Sequence, residues 1–119
     1  QGDYLNGVAE LRSSLGPADL LAALHRIESA AGRIRRERWG ARTLDLDLLL
    51  FGMRRAESTS LRLPHPRIAE RNFVVYPLCD LAPSLVMPDG QRIHSLRARL
   101  GNGGLTRLGR DPEAFDAAA

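Results

Sequence analysis

The sequence predicts an α+β fold, and three features carry that expectation. The run from Arg42 to Phe51, bounded by Gly40 and Gly52, is short and too apolar for a surface loop, so it reads as a buried strand. Leu20, Leu21, Leu24, Ile27 and Ala31 recur at helical spacing, so residues 17–31 predict an amphipathic helix. A further helix is expected over Ile93 to Leu100, after the turn signal Pro88-Asp89-Gly90. At 119 residues with 44% apolar content, the chain is one globular domain whose core has little to spare.

In Asp3 to Ser13, one strand face would carry Leu5, Gly7, Ala9 and Leu11, and the other Tyr4, Asn6, Glu10 and Arg12. Val8 breaks that alternation, and Leu5, Val8 and Leu11 also recur every three residues, so strand and helix both stand. Ser13-Ser14-Leu15-Gly16 then interrupts the chain, and Pro17 suits the first position of the helix that follows. Gly32 is expected to end that helix. An arginine-rich loop and the Leu44–Phe51 strand come next, then a polar turn from Gly52 to Ser60 and a short strand at Leu61-Arg62-Leu63. A short helix is expected from Pro66 to Arg71. Phe73 to Pro83 is apolar enough for the core, but Pro77 disfavours a central strand and kinks a helix, leaving either open. The domain is expected to occupy residues 1–100, with a Gly- and Ala-rich, loosely attached tail over 101–119.

Asp45 and Asp47 are the chemically telling residues. On a strand they project from one face while Leu44, Leu46 and Leu48 project from the other. Two neighbouring carboxylates on a core strand are costly unless neutralised, and a hard divalent cation, magnesium above all beside phosphate, does so. Just upstream, Gly32 to Arg42 packs five arginines and Trp39 into eleven residues. Guanidinium forks bind phosphate oxygens bidentately and hold their charge at any working pH. A cation and an arginine cluster are satisfied together by a metal-bound polyphosphate. A solvated basic loop followed by a strand with a stray acidic pair accounts for the same residue types.

Composition narrows the chemistry further. The net charge is +3, from 17 basic residues against 14 acidic, and every basic residue is arginine. A lysine nucleophile, a Schiff base and a P-loop lysine are therefore all excluded. The modest charge excess does not favour a phosphate-backbone binder. No stretch approaches the ~20 apolar residues of a membrane span. Cys79 is the lone cysteine and gives no reason to infer an oxidising compartment. The chain opens at Gln1, so it offers no targeting signal to read.

Several further residues are ambiguous alone: His65 between two prolines, the Arg71-Asn72-Phe73 run, and Tyr4 with Asn6, which face one side of a strand. Together with Arg38-Trp39-Gly40-Ala41-Arg42-Thr43-Leu44-Asp45-Leu46-Asp47-Leu48-Leu49 they form a pattern. That block closely resembles the signature of 6-hydroxymethyl-7,8-dihydropterin pyrophosphokinase, a folate-pathway enzyme family. The resemblance extends through Asp3-Tyr4-Leu5-Asn6, Arg26-Ile27-Glu28, Leu63-Pro64-His65-Pro66, Arg71-Asn72-Phe73 and the run from Pro77 to Pro83. It covers residues 1 to about 90 in order.

The resemblance implies a ferredoxin-like antiparallel sheet with helices packed on it, and transfer of pyrophosphate from ATP to the pterin hydroxymethyl oxygen, releasing AMP. Asp45 and Asp47 then look like ligands of two Mg2+ ions. Arg42 and His65 resemble residues that grip the triphosphate, with Arg33 and Arg35 on a loop that closes over it and Trp39 sealing that loop against water. Glu28 and backbone groups near Leu48 look like parts of the adenosine pocket. Tyr4 and Phe73 would sandwich the pterin, Asn6 would bond its polar edge, and Arg71 would lie between pterin and phosphates. A cytoplasmic monomer is implied, with ATP and a pterin as partners and neither nucleic acid nor membrane. His25, Ser60 and Pro66 depart from the family pattern near ATP and receive no role. The family domain is expected to begin upstream of Gln1, with two strands, a helix and a loop of the pterin pocket, so these 119 residues alone are not expected to make a stable, active enzyme. A basic ferredoxin-like module binding single-stranded nucleic acid through the arginine loop, Trp39 and Tyr4 is the rival reading, and a catalytically dead fragment a third.

Overall fold

The computed structural model describes residues 4–38 and 44–108, with residues 33–38 described by their backbone alone. Among these, the chain order is α1 (Pro17–Arg38), β1 (Ala56–Glu57), β2 (Arg62–Leu63), a 3₁₀ turn (Ile68–Glu70), α2 (Asn72–Leu81) and α3 (Ile93–Leu100). The class is α+β, with a small two-stranded antiparallel sheet.

Helix α1 starts at Pro17, and the Leu20 N–H donates to the Gly16 carbonyl at 2.9 Å. Asp19 in the first turn complements the positive end of the helix dipole. The expected stop at Gly32 is corrected: the helix continues to Arg38. Glycine terminates a helix by turning left-handed; here the strong helix formers Arg35, Arg36 and Glu37 carry the helix on instead. The start of the expected arginine loop, residues 32–38, is therefore helical, while residues 39–43 lie outside the described residues. An interior glycine costs a helix about 1 kcal/mol relative to alanine. A β-carbon at Gly32 would meet nothing within 4 Å. Gly32→Ala is therefore expected to stabilise the protein by about 1 kcal/mol in urea unfolding.

The core lies in the C-terminal half. Val75, Leu78 and Cys79 recur at helical spacing along α2, and Ile93 and Leu96 along α3; all five are buried together with Ile68 and Met87. Val8, Leu49, Leu50, Val74, Leu85 and Leu100 pack against this cluster. The open choice at residues 73–83 resolves as helix. Pro77 removes one backbone hydrogen bond within α2, and burial of its neighbours Val75, Leu78 and Cys79 offsets that loss. The Arg97 guanidinium of α3 sits 4.6 Å from the Tyr76 ring centroid of α2, adding a cation–π contact at the same interface.

Between these helices the chain makes a tight hairpin, with Val86 and Arg92 bridged antiparallel. The Gly90 N–H donates to the Met87 carbonyl and the Met87 N–H to the Gln91 carbonyl, both at 2.8 Å, while Gly90 takes φ +90°. A positive φ at that point is what glycine supplies without strain. Asp89 accepts from the Gln91 backbone N–H at 3.0 Å and from its side-chain amide at 2.8 Å. These donors, the backbone one first, hold the Asp89 carboxyl below its ordinary pKa of 3.8. A carboxyl with a depressed folded-state pKa stabilises above its unfolded pKa and loses that contribution as pH falls through the folded value. The stability gap between wild type and Asp89→Ala is therefore expected to be small at neutral pH and to close in acid, as measured by urea unfolding across pH.

Two further expectations are corrected. Residues 4–13 form no strand, and Tyr4 and Leu5 are almost fully exposed. Leu44–Phe51 is not a ladder strand, because a strand exists through hydrogen bonds to a neighbour and no ladder partner lies among the described residues. The expected polar turn at 52–60 contains β1, whose Ala56 and Glu57 pair with Leu63 and Arg62. The expected 66–71 helix is the 3₁₀ turn Ile68–Glu70, and Arg62–Leu63 and Ile93–Leu100 fall where expected. No helix among the described residues is long and apolar enough to cross a membrane.

Candidate active site

The segment 44–50 is where the expected site residues meet. Its expected alternation holds only over residues 45–48: Asp45 and Asp47 are exposed and Leu46 and Leu48 half-buried, whereas Leu44 is exposed like the aspartates and Leu49 and Leu50 both pack on the core. Asp47 keeps 51% of its side-chain exposure, so the burial cost expected of these carboxylates is corrected. What favours a cation is instead the repulsion between two like charges two residues apart on one exposed edge.

Three neighbours fix this segment. Glu28, on the half-buried face of α1, accepts a hydrogen bond from the Leu46 backbone N–H through Oε2, between the two aspartates. The His65 backbone N–H donates to the Leu49 carbonyl at 2.8 Å. The Arg71 guanidinium, 24% exposed, reaches Asp47 Oδ2 at 3.9 Å. That distance is an ion pair without a hydrogen bond.

His65 has a defined tautomer. Its Nδ1 accepts from the Arg67 backbone N–H at 3.2 Å, so Nδ1 carries no proton. Nε2 is then the N–H donor, available to an anionic oxygen. Arg71 also lies over the Phe73 ring, 5.6 Å from its centroid, which places a cation and an aromatic face side by side at the start of α2. Phe73 is 36% exposed.

Tyr4 and Asn6 are not buried in the site. Tyr4 is 79% exposed and Asn6 is exposed. Arg33 and Arg35 lie on α1, where only the backbone is described, and Trp39 and Arg42 lie outside the described residues. Among the described residues no three His, Cys, Asp or Glu side chains form a closed metal cage. Asp45 and Asp47 stand as two exposed carboxylates two residues apart. That pair fits Mg2+, which is held by one or two carboxylates and completes its shell with water and substrate phosphate. The pairing of Asp47 with Arg71, and Glu28 on the Leu46 backbone, were not foreseen; neither spacing nor composition signals a contact between residues 24 or 18 positions apart.

The family model for 7,8-dihydro-6-hydroxymethylpterin-pyrophosphokinase matches residues 1–83. The chain belongs to this family. It is 49% identical over 108 residues, 91% of its length, to the 2-amino-4-hydroxy-6-hydroxymethyldihydropteridine pyrophosphokinase of Pseudomonas aeruginosa, covering 67% of that protein. Like-named relatives from Synechocystis and Haemophilus influenzae are 51% and 46% identical over 74% and 81% of the chain. The chain spans only 45% and 60% of those two relatives. The family-matched stretch contains all the residues that meet around segment 44–50: Glu28, Asp45, Asp47, His65, Arg71 and Phe73.

Proposed function

We propose that this protein transfers pyrophosphate from ATP to 6-hydroxymethyl-7,8-dihydropterin, releasing AMP, in folate biosynthesis. The observation that carries the reading is the exposed Asp45–Asp47 pair with Arg71 beside it, inside the family-matched residues. Asp45 and Asp47 would hold two Mg2+ ions, which would offset negative charge on the transferring group and the leaving AMP. The remaining work is positioning and charge stabilisation by side chains. His65 donates through Nε2 to a phosphate oxygen, and its backbone N–H fixes it to the segment that carries the aspartates. Arg71 leaves Asp47 for the phosphates while Phe73 stacks on the pterin, and Tyr4 and Asn6 cover the other face and the polar edge.

Arg42, Arg33 and Arg35 grip the triphosphate, and Trp39 excludes water that would hydrolyse ATP. Glu28 and the backbone near Leu48 border the adenosine. Asp47 accepts the hydroxyl proton while remaining a ligand. The wider fold is a ferredoxin-like antiparallel sheet with helices packed on it, a reading supported by the α+β class of the described residues. The enzyme acts as a cytoplasmic monomer on ATP and a pterin, without nucleic acid.

Mixing the protein with ATP, Mg2+ and hydroxymethyldihydropterin tests this. AMP release that needs both the pterin and the metal is expected. Metal-independent binding of single-stranded RNA, with no AMP released, contradicts it.

A further inference from the structure

We infer that Asn72 is a positioning residue for the pterin site, clamped in place by the segment after α3; this rests on the proposed function. Asn72 stands between Arg71 and Phe73, the two residues of α2's start assigned to substrate. Its side-chain amide has two N–H donors, and both are used: Nδ2 donates to the Gly101 carbonyl and to the Gly103 carbonyl, each at 3.0 Å. Gly101 takes φ +69°, which lets the chain leave α3 and bring these carbonyls back over α2.

A second tether, Arg107 to Asp80 at 3.2 Å, joins the same segment to the other end of α2. This segment lies beyond the residues that the family model matches, so the clamp is additional to the family signature. Arg71 itself is fixed at the backbone. Its N–H donates to the Ile68 carbonyl at 3.1 Å, and its own carbonyl accepts from Val74 and Val75 at 3.0 Å. The amide clamp thus completes a rigid frame from which the Arg71 and Phe73 side chains project at set angles. A small rotation of that frame moves an aromatic face and a guanidinium together, and stacking plus ion pairing is lost with it.

The test uses Asn72→Ala and Asn72→Asp in the full chain. The aspartate is isosteric and suits the first turn of a helix, but it has no N–H and presents oxygen to two carbonyls. Both variants are expected to raise KM for the pterin about tenfold and KM for ATP, whose phosphates Arg71 also meets, by no more than about threefold. A purely structural role would instead lower the active fraction and the melting temperature without splitting the two KM values. Unchanged pterin KM, an equal rise in both KM values, or unfolding of both variants overturns the inference. Absence of pterin-dependent turnover in the wild type overturns the proposed function and the inference with it, so the two failures are distinct.

Discussion

Asp45→Ala and Asp47→Ala are each expected to reduce pterin-dependent AMP formation at least about thousandfold, or ~4 kcal/mol of transition-state stabilisation. The transferring group carries charge that has to be offset where it develops, and the two carboxylates are the groups proposed to hold the ions that do so. Folding will not explain the loss. Asp45 is exposed, and the pairing of Asp47 with Arg71 is a half-exposed contact at 3.9 Å, in the class worth ~0–1 kcal/mol. Both variants are therefore expected to unfold within about 1 kcal/mol of wild type in urea. Activity measured across a magnesium titration discriminates further: weakened metal binding shifts the titration midpoint upward, whereas a collapsed fold does not respond to added metal.

Leu96→Ala is expected to destabilise the protein by about 3 kcal/mol, within the ~2–5 kcal/mol span for buried leucines. Leu96 is fully buried on the face of α3 that meets α2, in a cluster with Ile93, Val75 and Ile68 that is also buried almost completely. Removing it opens a cavity where few neighbours are free to collapse. The core of the described residues is small, so a loss of this size is a large share of the ~5–15 kcal/mol that holds a typical domain together. Leu81, at the end of α2 and 45% exposed, is the control; Leu81→Ala is expected to change stability by no more than about 0.5 kcal/mol. Urea unfolding with an unchanged slope and a lowered midpoint would establish the effect on Leu96.

What could be read in the sequence followed local chemistry. Pro17 opens α1 and Ile93–Leu100 is α3, because a helix-compatible proline and apolar spacing act within a few residues. The Pro88-Asp89-Gly90 turn needed only a glycine at positive φ. Gly32 misled because its neighbours on both sides favour helix, and glycine stops a helix only where the backbone actually turns. Leu44–Phe51 has a strand's composition, but a strand is a relation between two segments, which one segment's sequence does not specify. Pro77 left α2 undecided because the deciding term was burial of Val75, Leu78 and Cys79 against α3, a tertiary fact.

The site divides along the same line. Asp45 and Asp47 announce themselves as a pair, and the exposed edge they occupy agrees with a ligand role more simply than the buried one the composition suggested. The hydrogen bond from the Leu46 backbone N–H to Glu28, the His65 tautomer and the double clamp by Asn72 are long-range or geometric, and no residue spacing encodes them.

If an intact pyrophosphoryl group moves, the β-phosphate moves with it. With ATP labelled at the β-phosphorus, the label is expected to leave the nucleotide and appear on the pterin, with unlabelled AMP as the nucleotide product. Label retained in ADP, whether or not a pterin is present, would contradict it.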